Sequence, residues 1–203
     1  MTTREIKRNR CRIGGICMRV DVMNTGRCGE CGLCLNQPPV MEDIKDGVDI
    51  MWVGLSACRR RVDGEKPLSC GTITGSIIKR MEDLIPMMTF YHTNIVKCLP
   101  LSDNGKIRYP TLTEAECCFG NIFYEINILS PKIVVILGNM AAGFFEKAFH
   151  CRLDKRNGSN YTVTQLDSMR IIPIHHPSYI YVYKRNELEK WIKYVSGLII
   201  DSM

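Results

Sequence analysis

No stretch of this 203-residue chain approaches the roughly 20 consecutive apolar residues of a membrane-spanning helix, so an integral helical membrane protein is excluded. The opening MTTREIKRNRCRIGG has charge but no apolar core of about 7 to 15 residues, so no secretory signal is expected and the expected location is a reducing cytoplasm. There is no internal repeat, no low-complexity tract and no linker. At about 150 residues per domain, the expectation is one domain spanning 1–203. Charged residues make up 24% and apolar residues 45%, which excludes a disordered tail, a collagen and a heptad-only coiled coil.

What is present is basic charge and cysteine. Lys plus Arg number 27 against 21 Asp plus Glu, a net +6 that suits a polyanionic partner. Eleven cysteines without a secretory signal point to metal binding rather than to a disulfide framework.

From residue 50 onward, short apolar runs alternate with helical patterns. The runs are Ile50–Val53, Thr93–Val96, Ile133–Leu137 and Ile171–Ile174. Each is nearly all apolar and ends in turn or polar residues, as a strand buried on both faces of a parallel sheet does. Helical patterns fall near 72–85, 112–129, 139–150 and 186–200. The expected fold is a three-layer α/β/α sandwich with a mainly parallel four-stranded sheet. Residues 1–49, rich in Gly, Cys and charge, are expected to form an irregular N-terminal lobe. Ligands of such sheets bind beyond the carboxyl ends of the strands. Gly54, Cys98 and His176 lie just past three of those ends, and Asn94 lies within the second strand.

Cys28-Gly29-Glu30-Cys31-Gly32-Leu33-Cys34 contains two successive Cys-x2-Cys spacings, while Cys98 and Cys118 stand apart. Four thiolates from separate segments can hold either a tetrahedral zinc or a 4Fe-4S cluster, and spacing does not choose between them. Either would tie the lobe to the α/β core.

Taken in order, these passages resemble the uracil-DNA glycosylase superfamily, in particular its iron-sulfur families 4 and 5. Cys28-x2-Cys31-x-Leu33-Cys34 resembles the N-terminal cluster motif. Val53-Gly54-Leu55-Ser56-Ala57 is similar to the first active-site loop, nearer the Gly-Leu-Ala-Pro form than the Gly-Glu form. Thr93 to Pro100, then Pro110 to Glu114 and Cys118, resembles the run that supplies a base-reading Asn and two cluster ligands. Ser130 to Gly138 with Ala141 resembles the third strand, and His176-Pro177-Ser178 the final motif.

The resemblance implies a DNA glycosylase that flips a uracil-like or modified pyrimidine out of DNA and hydrolyses its N-glycosidic bond. It also implies a 4Fe-4S cluster on Cys28, Cys31, Cys98 and Cys118. His176 is the candidate donor to the departing base, and Asn94 the candidate reader of its edge. Gly54, Leu55, Ser56, Ala57, Leu68 and Ser178 are expected around the substrate. Arg59, Arg60, Arg61, Lys184 and Arg185 are candidate phosphate contacts, and Ile180 and Tyr181 a candidate wedge. DNA is the expected partner of a monomer with no obligate protein partner.

Two departures bear on the substrate. Leu55 stands where the Gly-Glu form has a carboxylate, leaving Asp63 and Glu65 as nearby carboxylates in sequence alone. Leu68 follows Pro67 where the families place an aromatic ring. A pocket without that ring could admit a hypermodified cytosine of viral DNA, making the activity one of defence. The competing class is a non-catalytic nucleic-acid-binding protein that kept fold and cluster.

Overall fold

Two short strands, β1 (Arg10–Ile13) and β2 (Ile16–Arg19), pair antiparallel. With a short 3-10 turn at Leu33–Leu35, they are regular features in a lobe expected to be irregular. The computed structural model describes residues 30–154 and 160–203, with the backbone alone of 10–13 and 16–19. Among these residues no helix is long and apolar enough to cross a membrane.

The main sheet contains β3 (Ile50–Ser56), β4 (Phe90–Val96), β5 (Ile133–Leu137), β6 (Thr164–Leu166) and β7 (Met169–Ile174), in the order β4-β3-β5-β7-β6. The four long strands are parallel, and β6 adds an antiparallel edge to β7. Helices α1 (Ile73–Glu82), α2 (Leu112–Leu129), α3 (Asn139–Phe149), α4 (Pro177–Tyr183) and α5 (Leu188–Asp201) connect and cover them. The four expected strands and four expected helices are therefore present, and β6 and α4 are additions. Thr-Gln-Leu at β6 is too short and polar to stand out as a strand.

Strand pleating divides the core. Met51 and Val53 of β3, with Val134 and Ile136 of β5, face α2 and α3. Ile50, Trp52, Ile133, Val135 and Leu137 face α1 and α5. Both sheet faces are dry, which is why these strands read as unbroken apolar runs. Helix α2 starts in a capping box in which Thr111 and Glu114 satisfy each other's backbone N–H groups. Helix α4 starts at Pro177, capped by His176.

Candidate active site

The carboxyl ends of β3, β4, β5 and β7 open into one cavity of about 1130 Å³, lined among others by Gly54, Asn94, Gly138 and His176. Gly54 and Asn94 are register partners on adjacent strands. Asn94 is buried, with 3% of its surface exposed, yet its side chain borders the cavity. Among the described residues no hydrogen bond engages its carboxamide, so its acceptor and its two donors stay available to a ligand. A Cβ on Gly54 would overlap Asn94 Oδ1, so only glycine leaves that oxygen its place.

His176 caps α4 through its ring. Nδ1 accepts the backbone N–H of Ser178 at 3.3 Å and lies 2.7 Å from Ser178 Oγ. A nitrogen that accepts an N–H carries no proton, so the neutral ring holds its proton on Nε2. Burial lowers the His176 pKa below 6.5, which keeps the ring neutral at pH 7. The residue therefore presents a neutral N–H donor. Gly138 gives it room, at φ +89 and with its would-be Cβ 3.3 Å from His176 Cβ.

The segment between β3 and α1 forms the wall beside Gly54, whose would-be Cβ lies 3.1 Å from Leu68 Cδ2. Leu68, half-buried, adopts φ +53, a left-handed conformation that costs a bulky residue about 1–3 kcal/mol. It is held there from behind. Thr72 donates through N–H and Oγ1 to the Ser69 carbonyl at 2.9 and 2.8 Å, and Gly75 lacks the Cβ that would overlap the carbonyl oxygens of Leu68 and Ser69. Leu55, Ser56 and Ala57 also line the cavity, and the Ala57 N–H bonds to Val96 O at 3.0 Å.

The three arginines diverge. Arg59 is exposed. Arg60 is half-buried and donates to Pro39 O at 2.8 Å. Arg61 is ion-paired with Glu65 and donates to the Gly71 carbonyl. A run of three phosphate contacts is thus corrected for Arg60 and Arg61, whose guanidinium groups are engaged inside the protein. Glu65 reaches the cavity, whereas Asp63 does not line it. Hydrogen bonds from the Arg61 side chain and backbone hold the Glu65 carboxyl at about 2, so it is ionised.

A second correction concerns the wedge. Ile180 is 2% exposed and packs in the core beside α1 and α5, because helical phase turns it inward. Tyr181 packs partly against the same cluster, with Arg185 4.8 Å over its ring. The α4 side chains that reach the cavity are Ser178, Tyr179, Val182 and Tyr183. Lys184 follows the helix, 3.9 Å from Glu187.

Sequence reasoning also missed Lys66, Arg108 and Tyr109 in the lining. The last two belong to the segment after β4, and the strand-end rule is the signal that could have found them.

Cys98 and Cys118 are buried in the cluster between the sheet and α2, and Cys31 and Cys34 pack against it. Cys28 lies outside the described residues. Among the described residues no three His, Cys, Asp or Glu side chains stand close enough to hold a metal ion.

Comparison with known proteins agrees with this architecture. The family model described as the uracil DNA glycosylase superfamily matches residues 43–196, well over half of the chain. The type-4 uracil-DNA glycosylase of Thermotoga maritima is 32% identical over 100 residues, 49% of this chain and 49% of that protein. That of Archaeoglobus fulgidus is 29% identical over 130 residues, 61% of this chain and 60% of that protein. The chain thus spans only about half to three fifths of the length of these relatives. The crystal structure of wild-type Pedobacter heparinus SMUG2 matches in fold, with a TM-score of 0.52, 14% identity and 76% of each chain covered. With its sheet, its strand-end cavity and the match over 43–196, this chain belongs to the uracil DNA glycosylase superfamily.

Proposed function

We propose that this protein is a DNA glycosylase that takes an extruded pyrimidine into the strand-end cavity and hydrolyses its N-glycosidic bond, leaving an abasic site. The observation that carries the reading is that Asn94 of β4 and His176, the cap of α4 just past β7, border the same cavity with hydrogen-bonding groups unspent. As the bond breaks, negative charge collects on the base and positive charge on the sugar. A neutral Nε2–H from His176, aimed at a base oxygen, gains strength as that charge develops, so it stabilises the transition state more than the ground state. Asn94 reads the base edge through its amide, and Leu68, beside it, supplies apolar contact to the base.

No carboxylate stands at position 55, and Glu65 spends its oxygens on Arg61. The base therefore leaves first, and water adds to the resulting cation. Both relatives are type-4 uracil-DNA glycosylases, which makes uracil the first substrate to try. A bulkier, hypermodified cytosine of viral DNA is the second reading. It is favoured by Leu68, which gives no aromatic stacking face, and by a cavity that exceeds the roughly 300–1,000 Å³ of ordinary ligand pockets.

Cys28, Cys31, Cys98 and Cys118 are the proposed ligands of a 4Fe-4S cluster, with zinc as the alternative. Thiolates are the donors such a centre uses, and the two buried thiols and Cys31 lie at one apolar cluster, although the three do not stand together within ligating distance. When bound, the group supplies a cross-link between lobe and core. The whole chain then works as one domain on DNA.

An excision screen tests the proposal. Oligonucleotides carrying uracil, deaminated purines or bulky cytosine derivatives are incubated with the protein and treated with alkali to cut abasic sites. Cleavage at one base class, lost in His176→Ala, is expected. DNA binding without abasic sites on any substrate would establish the non-catalytic class instead.

A further inference from the structure

The cavity mouth carries a series of rings that the glycosidic chemistry does not use. Five rings run in sequence, with Tyr161 buried within the series and both ends, Tyr194 and Tyr183, reaching solvent. Tyr194 and Tyr161 lie 5.8 Å apart, Tyr161 and His175 5.6 Å, His175 and Tyr179 5.5 Å, and Tyr179 and Tyr183 5.1 Å. The inner rungs are locked. Trp191 Nε1 donates to the Tyr161 hydroxyl at 2.6 Å, and that hydroxyl lies 2.6 Å from His175 Nδ1. The outer rungs are open, with Tyr179 42% and Tyr183 73% exposed. Both line the cavity, and on another wall so does Tyr109, 72% exposed. Side chains this large left in water around one opening mark a contact surface.

Rings and charge together identify the occupant. Arg60, Lys66 and Arg108 line the cavity with one carboxylate, Glu65, which Arg61 neutralises; Arg60 is engaged by Pro39 O, Arg108 by Glu114 and Lys66 by the exposed Asp43, so the basic excess at the opening is modest. Lys184 and Arg185 follow Tyr183 directly. A partner with flat π-faces and repeated negative charge is a nucleic acid strand. In a duplex both faces of each base are covered by neighbouring bases, so exposed rings gain nothing from them. In a single strand the faces are free, and aromatic rings in a basic groove hold such strands without sequence preference. A single strand also spares the cost of extrusion from a helix.

We propose that the protein takes its DNA single-stranded, with the bases flanking the cavity occupant stacking on Tyr183 and on Tyr109. This rests on the glycosylase reading for the identity of the polymer as DNA. Tyr183 leans on Tyr179 at an interplanar angle of 41°, and Tyr179 stacks on His175 at 13°, so the outer ring stands beside an ordered pair and not alone.

Fluorescence anisotropy at fixed salt tests it, with a thymine oligonucleotide bearing a central abasic analogue, either single or annealed to its complement. Single-strand binding at least about tenfold tighter than duplex binding is expected. Tyr183→Ala should weaken single-strand binding about 5- to 150-fold, the range for losing one stacked base. Tyr183→Phe should keep it, and Tyr109→Ala should weaken it in the same sense. An unchanged melting temperature for the exposed-site variants shows that the fold is intact. Equal or tighter duplex binding, or single-strand affinity indifferent to Tyr183→Ala and Tyr109→Ala, overturns the inference. Since no bond is cut in this assay, its failure leaves the excision result standing, and a failed excision screen leaves the binding result standing.

Discussion

Asn94 Oδ1 occupies the space that a side chain on Gly54, its partner across the β3–β4 ladder, would fill. The neighbour is the end of a flexible side chain, not backbone, so Gly54→Ala can be accommodated by swinging the carboxamide aside. Stability should therefore change little, by less than about 1–3 kcal/mol. Base recognition should suffer far more. Excision is expected to fall by at least about tenfold with a melting temperature close to that of the parent, and Asn94→Ala should resemble it. A large loss of stability with normal activity would show that the oxygen has no part in the site.

The neutral state of His176 gives a pH prediction. Its folded pKa lies below the ordinary 6.5 because burial disfavours the cation. In that direction the unfolded chain takes up the proton first, so the residue's contribution to stability is complete above 6.5 and is lost as pH falls below it. Excision that relies on the Nε2–H of a neutral ring should hold level from pH 8 to about 6.5 and decline only on the acid side. His176→Gln or His176→Ala should lower the rate by about 10²–10³-fold, the usual loss for one charge-stabilising donor. Rates measured from pH 5 to 9 check both statements.

How much of this was legible in the sequence follows from what each segment has to satisfy locally. Strands β3 and β5 are buried on both faces, so their apolar runs announce them. The Thr111 and Glu114 pair marks the start of α2 without help from tertiary structure. Helix α4 was hidden, because Tyr179-Ile180-Tyr181-Val182-Tyr183 is bulky throughout and shows no polar face. Without its helical phase, Ile180 could be taken for the exposed residue, when Tyr179 and Tyr183 are the ones turned to the cavity. The arginines show the same limit. Neighbours in sequence have different fates because Pro39 arrives from 21 residues away to engage Arg60, while Arg61 turns to Glu65 and Gly71 further along its own segment.

His92 supplies a second pH dependence, away from the cavity. Its Nδ1 lies 3.1 Å from Glu42 and its Nε2 2.8 Å from Glu82, bridging the segment before β3 to α1 through β4. Burial opposes protonation, but the hydrogen bonds and charges of the two carboxylates prevail and raise the His92 pKa to about 9. Glu42 is pushed up by burial and pulled down more strongly by His92, to about 2. The His92 contribution, on the order of 3 kcal/mol, is complete below pH 6.5 and lost as pH rises through about 9. That of Glu42 is present above 4.5 and lost as pH falls toward 2. Urea unfolding of the parent and of His92→Gln should differ most near pH 6 and converge by about pH 10. A gap that stays constant across that range would contradict the bridge.

The proposed cluster predicts composition and colour. Protein purified without oxygen should be brown and contain iron and acid-labile sulfide in equal amounts. Cys98→Ala and Cys118→Ala should lose both, because each removes a thiolate from the buried side of the donor set. Colourless protein with stoichiometric zinc would assign the same cysteines to a tetrahedral zinc site.

Lys97 immediately precedes Cys98, and its side chain is wholly buried beside Glu125 of α2. Nζ lies 2.6 Å from the Glu125 carboxylate and 2.5 Å from Thr93 Oγ1, and that hydroxyl reaches both carboxylate oxygens, at 3.0 and 2.9 Å. Tyr91 adds its hydroxyl at 3.3 Å, so the charges sit in a network joined by two positions of β4, Tyr91 and Thr93. Such a pair holds geometry more than it adds stability, because desolvation offsets much of the attraction. Lys97→Met alone should cost about 3–5 kcal/mol, since it strands a buried carboxylate, whereas Lys97→Met with Glu125→Leu should recover most of that loss. If the network's task is to fix the end of β4, where Asn94 and Cys98 are set, the double variant should remain folded yet excise poorly. Denaturant unfolding beside the excision assay separates the two quantities, and a double variant that is both stable and fully active would reduce the pair to a replaceable piece of core.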